Sequence, residues 1–269
     1  MSDNTVLLEK VGATAVITLN RPHRRNALDA SIKAAMTDIV SAVREDWSVS
    51  AVVLTGAGGN AGGNFCAGAD LGDGGADAER GFYVRDLLLD HHGWFAELTD
   101  LEKPVISAVD GFATGAGLSV ALAADFIIAS DRARLVSSFA RVGFIPDLSL
   151  MYVLPRRVGL VRAKEIVFSA REIRGEEAVA IGLAEAVVPA DRLRDAAIEF
   201  AQRFEKAPTH VLGMAKRIMN RTFETDRHAL LQLEAAVQGL CAVSQYNAEA
   251  VRRFFSKEAP LFPGTQRLF

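Results

Sequence analysis

The segment from Lys103 to Asp125, KPVISAVDGFATGAGLSVALAAD, constrains the fold most strongly. Its VISAV run is typical of a buried strand, and LSVALAA predicts a buried helix. The turn between them contains Gly115 and Gly117, which lack a Cβ and let a ligand approach bare backbone N–H groups. A glycine turn that enters a helix is a candidate site for an anion, or for an oxygen that becomes negative during a reaction. A plain structural connection is the alternative interpretation.

Strands alternate with helical patterns through the first 190 residues. The predicted strands are Val6–Leu8, Val16–Leu19, Ala51–Leu54, Val105–Val109, Phe126–Ala129 and Ala184–Val188. Asp29 is placed to cap the first helix, and Gly56–Gly75 is a long glycine-rich loop whose apolar second half predicts an anchored segment. Only helical patterns follow Asp191. The sequence therefore predicts an α/β core over residues 1–190 and a helical C-terminal region over residues 191–269.

Composition excludes several classes of partner. The formal net charge is -3, which gives no reason to expect nucleic acid or a membrane surface. Two cysteines, Cys66 and Cys241, are too few for a disulfide framework, which fits a reducing compartment. The N-terminus, MSDNTVLLEK, does not have the pattern of a secretory signal. We therefore expect a cytoplasmic protein.

Three separated segments carry a resemblance to a known family. They are NRPHRRNAL at Asn20–Leu28, GGNFCAGADL at Gly62–Leu71, and the segment Lys103–Asp125. Together with GFIPDLSLMYVLPRRVG at Gly143–Gly159 and AVRRFFSKEAPLF at Ala250–Phe262, they resemble the enoyl-CoA hydratase/isomerase family, also called the crotonase superfamily. The resemblance covers nearly the whole chain in the expected order.

The resemblance implies a crotonase-like spiral of ββα units with a helical C-terminal extension, assembled as a homotrimer or a dimer of trimers. It also implies acyl-CoA thioester substrates and an oxyanion hole of two backbone amides, here those of Ala69 and Ala116. Such fixed donors stabilise the enolate of a thioester by roughly 3–4 kcal/mol each. Coenzyme A is part of the substrate, and we expect no separate cofactor and no metal.

The same motifs indicate the residues that contact substrate. Arg24 and Arg25 lie where relatives wrap the nucleotide, and arginine is well suited to phosphate. Phe255 and Lys257 in the tail are expected to reach the nucleotide, from the same or a neighbouring subunit. Solvated surface charge is the alternative for these basic residues. The other predicted substrate-binding residues are Ala27, Ala67, Asp70, Gly115, Gly117, Ser119 and Phe139.

The sequence departs from typical hydratases of this family at both catalytic glutamates. Hydration needs one group to activate water and another to deliver a proton, and those enzymes use two glutamates. Ser119 and Phe139 occupy these positions here. Neither side chain is an acid or a base at neutral pH. The usual hydration mechanism is therefore not expected.

Asp147 is the candidate that replaces them. A carboxylate occurs here in family members that shift double bonds or open rings, and one carboxylate suffices to move a proton between two carbons. A lining of Phe139, Phe144, Ile145 and Leu148 would raise its pKa. Capping of the following helix is the alternative role.

Other polar residues receive smaller roles. His91 or His92 could touch the substrate, although an exposed or core-edge histidine is the alternative for both. Asp70 is expected to order its loop. Ser119 could hold a water or a substrate oxygen, or could be chosen for packing. Cys66 is interpreted as a small buried apolar side chain.

The predicted function is that of an enoyl-CoA isomerase acting on a 3-enoyl-CoA or a ring-bearing acyl-CoA, with Asp147 as acid and base. Three alternatives stay open at this point. They are a hydratase or dehydratase that uses Asp147 alone, a dehalogenase-like enzyme with Asp147 as nucleophile, and a non-catalytic acyl-CoA binder.

Overall fold

The computed structural model describes residues 4–58, 63–70 and 80–264. Part of the predicted loop Gly56–Gly75 lies outside these ranges, including Gly62 and Leu71, which are the first and last residues of the GGNFCAGADL motif. The remaining segments that carry the sequence motifs are all described.

The larger sheet has six strands in the order β1-β2-β3-β4-β6-β9. These strands are β1 Val6–Val11, β2 Thr14–Leu19, β3 Ala51–Gly56, β4 Val105–Val109, β6 Phe126–Ser130 and β9 Ala186–Val188. Only β1 and β2 pair antiparallel, as a hairpin, and the others pair in parallel. Each predicted strand is found. The inner strands β2, β3 and β4 are almost entirely buried, because helices cover both faces of the sheet.

A second sheet of three short strands lies beside the first. It consists of β5 Phe112–Thr114, β7 Arg134–Val136 and β8 Glu172–Arg174, in that order. Cys66 adds a parallel bridge to Ala113. This bridge joins the GGNFCAGADL motif to the glycine-turn segment, so two motifs that are distant in sequence become neighbours.

Ten α-helices lie in the described ranges, and two short 3-10 helices occur at Pro22–Arg24 and Ser138–Val142. The α-helices are α1 Ala30–Glu45, α2 Arg80–Thr99, α3 Ala116–Leu122, α4 Leu150–Val158, α5 Leu160–Ser169, α6 Gly175–Ala180, α7 Leu193–Gln202, α8 Thr209–Met219, α9 Arg227–Ala242 and α10 Gln245–Phe255. The predicted cap of α1 is confirmed, because Asp29 accepts hydrogen bonds from the amides of Ser31 and Ile32 at 3.0 Å.

Apolar side chains form two layers, one on each face of the larger sheet. One layer includes Met36 of α1 and Leu118 of α3. The other joins β-strand residues such as Val53 to Leu193 and Phe200 of α7. Although α7 belongs to the predicted C-terminal region, it packs on the sheet, and the division at residue 190 stays a prediction. Among the described residues, no helix has both the length and the apolar character needed to cross a membrane.

Candidate active site

A cavity of about 1130 Å³ lies between four parts of the chain. Its walls come from residues 67–70, from Gly115 and Ala116, from residues between 138 and 152, and from α2 together with Asp100 directly after it. Most of the lining side chains are apolar. Ala69, Ala116 and Asp147 all line it, so the three residues predicted to carry the chemistry are brought to one place.

The amides of Ala69 and Ala116 are available for a ligand. Leu28 donates to the carbonyl of Gly68 at 2.8 Å and accepts from the amide of Asp70 at 2.8 Å. In this parallel bridge the intervening Ala69 directs its own N–H away from Leu28. Ala116 is the first residue of α3, where an amide has no partner within the helix. Neither N–H donates to any residue that the structure describes.

Two glycines allow the chain segments that bear these amides to approach each other. A Cβ at Gly68 would lie 2.7 Å from the Thr114 oxygen and 3.4 Å from the Ala116 nitrogen. A Cβ at Gly117 would collide with the carbonyl oxygen of Cys66. Gly117 therefore faces the neighbouring backbone and not the cavity, and Gly115 supplies the cavity wall at this turn.

Asp147 is a cavity carboxyl group that is shielded from water and only incompletely hydrogen-bonded. Its Oδ1 atom is buried and has no hydrogen-bond partner among the described residues. Desolvation by burial raises the pKa of Asp147 from 3.8 to about 6. Phe139 and Leu148 are buried beside it, whereas Phe144 and Ile145 line the cavity with more exposed side chains.

The capping alternative for Asp147 does not agree with the geometry. Helix α4 begins at Leu150, and its N-cap residue is Ser149. Asp147 contributes only its main chain, because its carbonyl oxygen accepts from the Leu150 amide at 3.0 Å. The carboxylate is thus left free of the helix and lies at the cavity.

The two positions at which hydratases carry glutamate differ in exposure to the cavity. Phe139 lines the cavity and is 6% exposed. Ser119 is 1% exposed, is not among the lining residues, and donates a hydrogen bond from Oγ to the Asp147 carbonyl oxygen at 2.9 Å. Of Ser119, Phe139 and Asp147, only Asp147 therefore has a side chain that can act as an acid or a base.

Asp70 lines the cavity but is engaged by Arg21, whose two terminal nitrogens lie 3.2 Å from Asp70 Oδ2. Arg21 also pairs with Asp29 at 3.0 Å. Asn26, fully buried, donates from Nδ2 to the carbonyl of Asn64 at 2.6 Å. Sequence reasoning missed the roles of Arg21 and Asn26, although both lie in the quoted NRPHRRNAL motif. They fasten this motif to the segment that bears Ala69.

The predicted nucleotide-binding residues lie outside the cavity. Arg24 and Arg25 are exposed, and neither forms an ion pair with a described residue. The carbonyl of Arg25 accepts from the amide of Ala67, which lines the cavity, at 3.0 Å. Ala27 is buried behind this edge. Phe255 and Lys257 are exposed at the end of α10, away from the cavity lining of this chain.

The two histidines differ. His92 lines the cavity. His91 is buried and accepts a hydrogen bond from Trp94 Nε1 at 3.1 Å, and burial lowers its pKa. Cys66 is fully buried, and desolvation raises the pKa of its thiol to about 12, so it is not poised as a nucleophile. Within the described ranges no cluster of His, Cys, Asp or Glu is suited to a metal ion.

An apolar cavity that joins two unengaged amides to one desolvated carboxyl group is arranged to hold an oxyanion and to carry a proton. Such an arrangement is chemically suited to the enolate of a carbonyl compound. The comparisons with known proteins identify the family. The family model described as enoyl-CoA hydratase/isomerase matches residues 9–265, and the chain belongs to this family.

Curated relatives include hydratases and an isomerase. The chain is 34% identical over 257 residues to the short-chain-enoyl-CoA hydratase of Clostridium acetobutylicum, covering 96% of this chain and 97% of that protein. It is 33% identical over 253 residues to the 1,2-epoxyphenylacetyl-CoA isomerase of Escherichia coli, covering 92% and 94%. An enzyme of the hydratase/isomerase type is thereby supported.

Among solved structures, the enoyl-CoA hydratase/isomerase of Cupriavidus metallidurans CH34 superposes with a TM-score of 0.86 at 34% identity, covering 99% of both chains. The predicted family and the predicted crotonase-like α/β fold with a helical C-terminal region are confirmed. The individual site assignments stay predictions. The structure brings Ala69, Ala116 and Asp147 to one cavity, whereas Phe255 and Lys257 are not among the residues that line it.

Proposed function

We propose that this enzyme is an enoyl-CoA isomerase that converts a 3-enoyl-CoA into a 2-enoyl-CoA through a stabilised thioester enolate. The observation that carries the proposal is the Asp147 carboxyl group, which lines the cavity with one unpaired buried oxygen and a pKa of about 6. A carboxylate with this pKa is mostly ionised at neutral pH and is a stronger base than an exposed aspartate.

The reaction needs one proton carrier. Ionised Asp147 removes a proton from C2 of the substrate, and the electron pair delocalises over the thioester carbonyl and the C3–C4 double bond. The amides of Ala69 and Ala116 donate to the negative oxygen. Protonated Asp147 then returns the proton to C4, and the double bond lies between C2 and C3. No water is added and no second acid is required.

Several observations support isomerisation over hydration. Ser119 and Phe139 provide no acid or base where hydratases carry glutamates, and Phe139 adds apolar surface to the cavity. The relative from Escherichia coli is named an isomerase. The relative from Clostridium acetobutylicum is named a hydratase. The experiment must therefore distinguish isomerisation from hydration by Asp147 alone.

Binding of the thioester as a coenzyme A ester is part of the proposal. Arg24 and Arg25 are exposed cations that suit phosphate groups, and the carbonyl of Arg25 accepts a hydrogen bond from the amide of Ala67, which lines the cavity. Phe255 and Lys257 would reach the nucleotide from another copy of the chain in a trimer or a dimer of trimers.

The test uses 3-enoyl-CoA in heavy water with mass analysis of the product. Wild type should release 2-enoyl-CoA that carries deuterium at C4 in the turnovers in which protonated Asp147 exchanges with the solvent, whereas subsequent addition of water to the 2-enoyl-CoA would increase its mass by that of water. Asp147→Asn should lose the activity. Asp100→Asn is a matched control, since Asp100 also lines the cavity but accepts a hydrogen bond from Asn220 at 3.1 Å. Equal deuterium incorporation by wild type and Asp147→Asn would refute the assignment.

A further inference from the structure

The hydroxyl of Ser119 is a buried group that the proposed reaction does not use. It donates to the carbonyl oxygen of Asp147 at 2.9 Å, and Ser119 is only 1% exposed. The side chain does not line the cavity, so it does not touch the substrate. Its single described hydrogen bond is directed at the main chain of the residue that carries the proton.

That main chain adopts a strained turn. Leu148 and Ser149, directly after Asp147, have φ of 43° and 59°, in the left-handed region that non-glycine residues avoid. Such a turn persists only where its surroundings hold it in place. On the helical side, the carbonyl of Ser149 accepts from the amides of Tyr152 and Val153 at 2.9 Å. On the other side, the Asp147 carbonyl accepts from the Leu150 amide and from Ser119.

Ser119 and Ala116 belong to the same short helix. Helix α3 runs from Ala116 to Leu122 and is buried along its whole length. The two residues are three positions apart and lie on neighbouring turns of one face. One end of this buried helix therefore bears the amide that would face the enolate oxygen, and the next turn holds the backbone of Asp147.

We propose, on the basis of the proposed function, that Ser119 is a positioning residue that fixes Asp147 at a set distance from the Ala116 amide. The hydroxyl ties the strained turn to α3 and so keeps the carboxylate over the reacting carbons. A small misplacement of a reacting group costs as much as about 100-fold in rate.

The proposal also explains why a serine stands where hydratases carry glutamate. The Asp147 carbonyl is an acceptor and needs a donor opposite it. A serine hydroxyl donates, whereas an ionised glutamate only accepts. A hydroxyl donor at position 119 and the use of Asp147 as the proton carrier therefore fit together in one site.

The activity test compares Ser119→Ala, which removes the donor, with Ser119→Thr, which keeps it. Ser119→Ala should lower kcat for 3-enoyl-CoA by roughly 10- to 100-fold with little change in KM. Ser119→Thr should recover most of the loss. Ser107→Ala is the matched control, because Ser107 is also fully buried but its hydroxyl has no hydrogen-bond partner in the described part of the chain. Its kcat should equal that of wild type.

A second measurement does not depend on turnover. The free energy of unfolding is measured against pH for wild type and Asp147→Asn, and again for both in the Ser119→Ala background. In each pair, the pH range over which the difference develops reports the pKa of Asp147. Without the Ser119 hydroxyl, the turn at Asp147 is no longer held, and its carboxyl group can reach water. The pKa of Asp147 should then fall, so the pH range over which the difference develops should move to lower pH in the Ser119→Ala background. Ser119→Cys, nearly isosteric with a weak donor, replaces Ser119→Ala if the latter does not fold.

The outcomes separate the two proposals. A wild type that does not isomerise 3-enoyl-CoA refutes the proposed function, and the unfolding measurement still tests Ser119. An active wild type with unchanged kcat in Ser119→Ala, or an unchanged pH range in the unfolding measurement, overturns the positioning role alone. Loss of kcat restored by Ser119→Thr, together with a lower pH range, supports it.

Discussion

Asp110 and Asp147 are both shielded aspartates near the glycine turn, yet their surroundings are opposite. Asp110 is 6% exposed, and its carboxylate accepts hydrogen bonds from Ser130 Oγ and Arg132 Nη2, both at 2.6 Å. Asp147 has a buried oxygen without a partner among the described residues and a raised pKa. One carboxylate is satisfied by the fold, whereas the other keeps an oxygen without a described partner.

Under the proposed function, the difference separates a carboxylate that stabilises the fold from one that carries a proton. A buried charge costs folding free energy unless it is paired and hydrogen-bonded. Asp110 meets that condition and braces the end of β4, where its backbone carbonyl also accepts from the Phe65 amide at 2.8 Å. Asp147 does not meet it, and an arrangement that lowers stability persists where function requires it. Substitution of each aspartate should therefore affect different properties.

The largest expected effect is on catalysis by Asp147→Asn. Removal of the proton carrier should lower kcat/KM for 3-enoyl-CoA by roughly 10²–10⁴-fold. Asp110→Asn is the matched substitution and should keep the rate per folded molecule near that of wild type, because Asp110 does not line the cavity. Steady-state kinetics on both variants provides the measurement. A comparable loss of rate in both would remove the distinction between the two carboxylates.

The next effect is on stability, and it belongs to Asp110. Asp110→Asn places an amide against the Arg132 guanidinium and should lower the free energy of unfolding at pH 7 by roughly 1–3 kcal/mol. This is less than for a fully buried pair because Arg132 is 41% exposed. Denaturant unfolding measures the change. A variant as stable as wild type would show that the ion pair does not brace the fold.

The third effect is of comparable size and opposite sign, a gain in stability from Asp147→Asn. The pKa of Asp147 is raised in the folded protein, so ionisation disfavours folding as the pH rises from 3.8 to about 6. Above this range the neutral asparagine should increase the free energy of unfolding by roughly 1–3 kcal/mol. Below it the two proteins should be about equally stable. Denaturant unfolding across pH 3.5 to 8 follows this difference, and a lower stability of Asp147→Asn at pH 7 would contradict the account.

Sequence periodicity predicts the long elements of the fold because each buries a regular apolar face. Strands β1 to β4 and β6 of the larger sheet, and helix α1 with its Asp29 cap, follow from such patterns. Strands β5, β7 and β8 have three residues each, which is too short for a periodic signal. They form because neighbouring chain segments offer backbone partners, and this cannot be inferred from a local stretch.

The candidate site was predictable where a residue type carries the chemistry. Asp147 is such a residue, and the family motifs point to Ala69 and Ala116. The contact of Ser119 with the Asp147 main chain could not be predicted, since it depends on left-handed conformations at Leu148 and Ser149. Neither residue type signals that conformation. The same conformations move the start of α4 beyond Asp147 and leave its carboxylate free.

The most direct test of the central claim follows the proton itself. A 3-enoyl-CoA that carries deuterium at both C2 positions is taken through a single turnover in ordinary water, and the label is located by NMR. If Asp147 moves the proton from C2 to C4, wild type should place part of the removed deuterium at C4, and Asp147→Asn should leave the substrate with both deuterium atoms at C2. Removal of deuterium from C2 by Asp147→Asn at the rate of wild type would contradict the account.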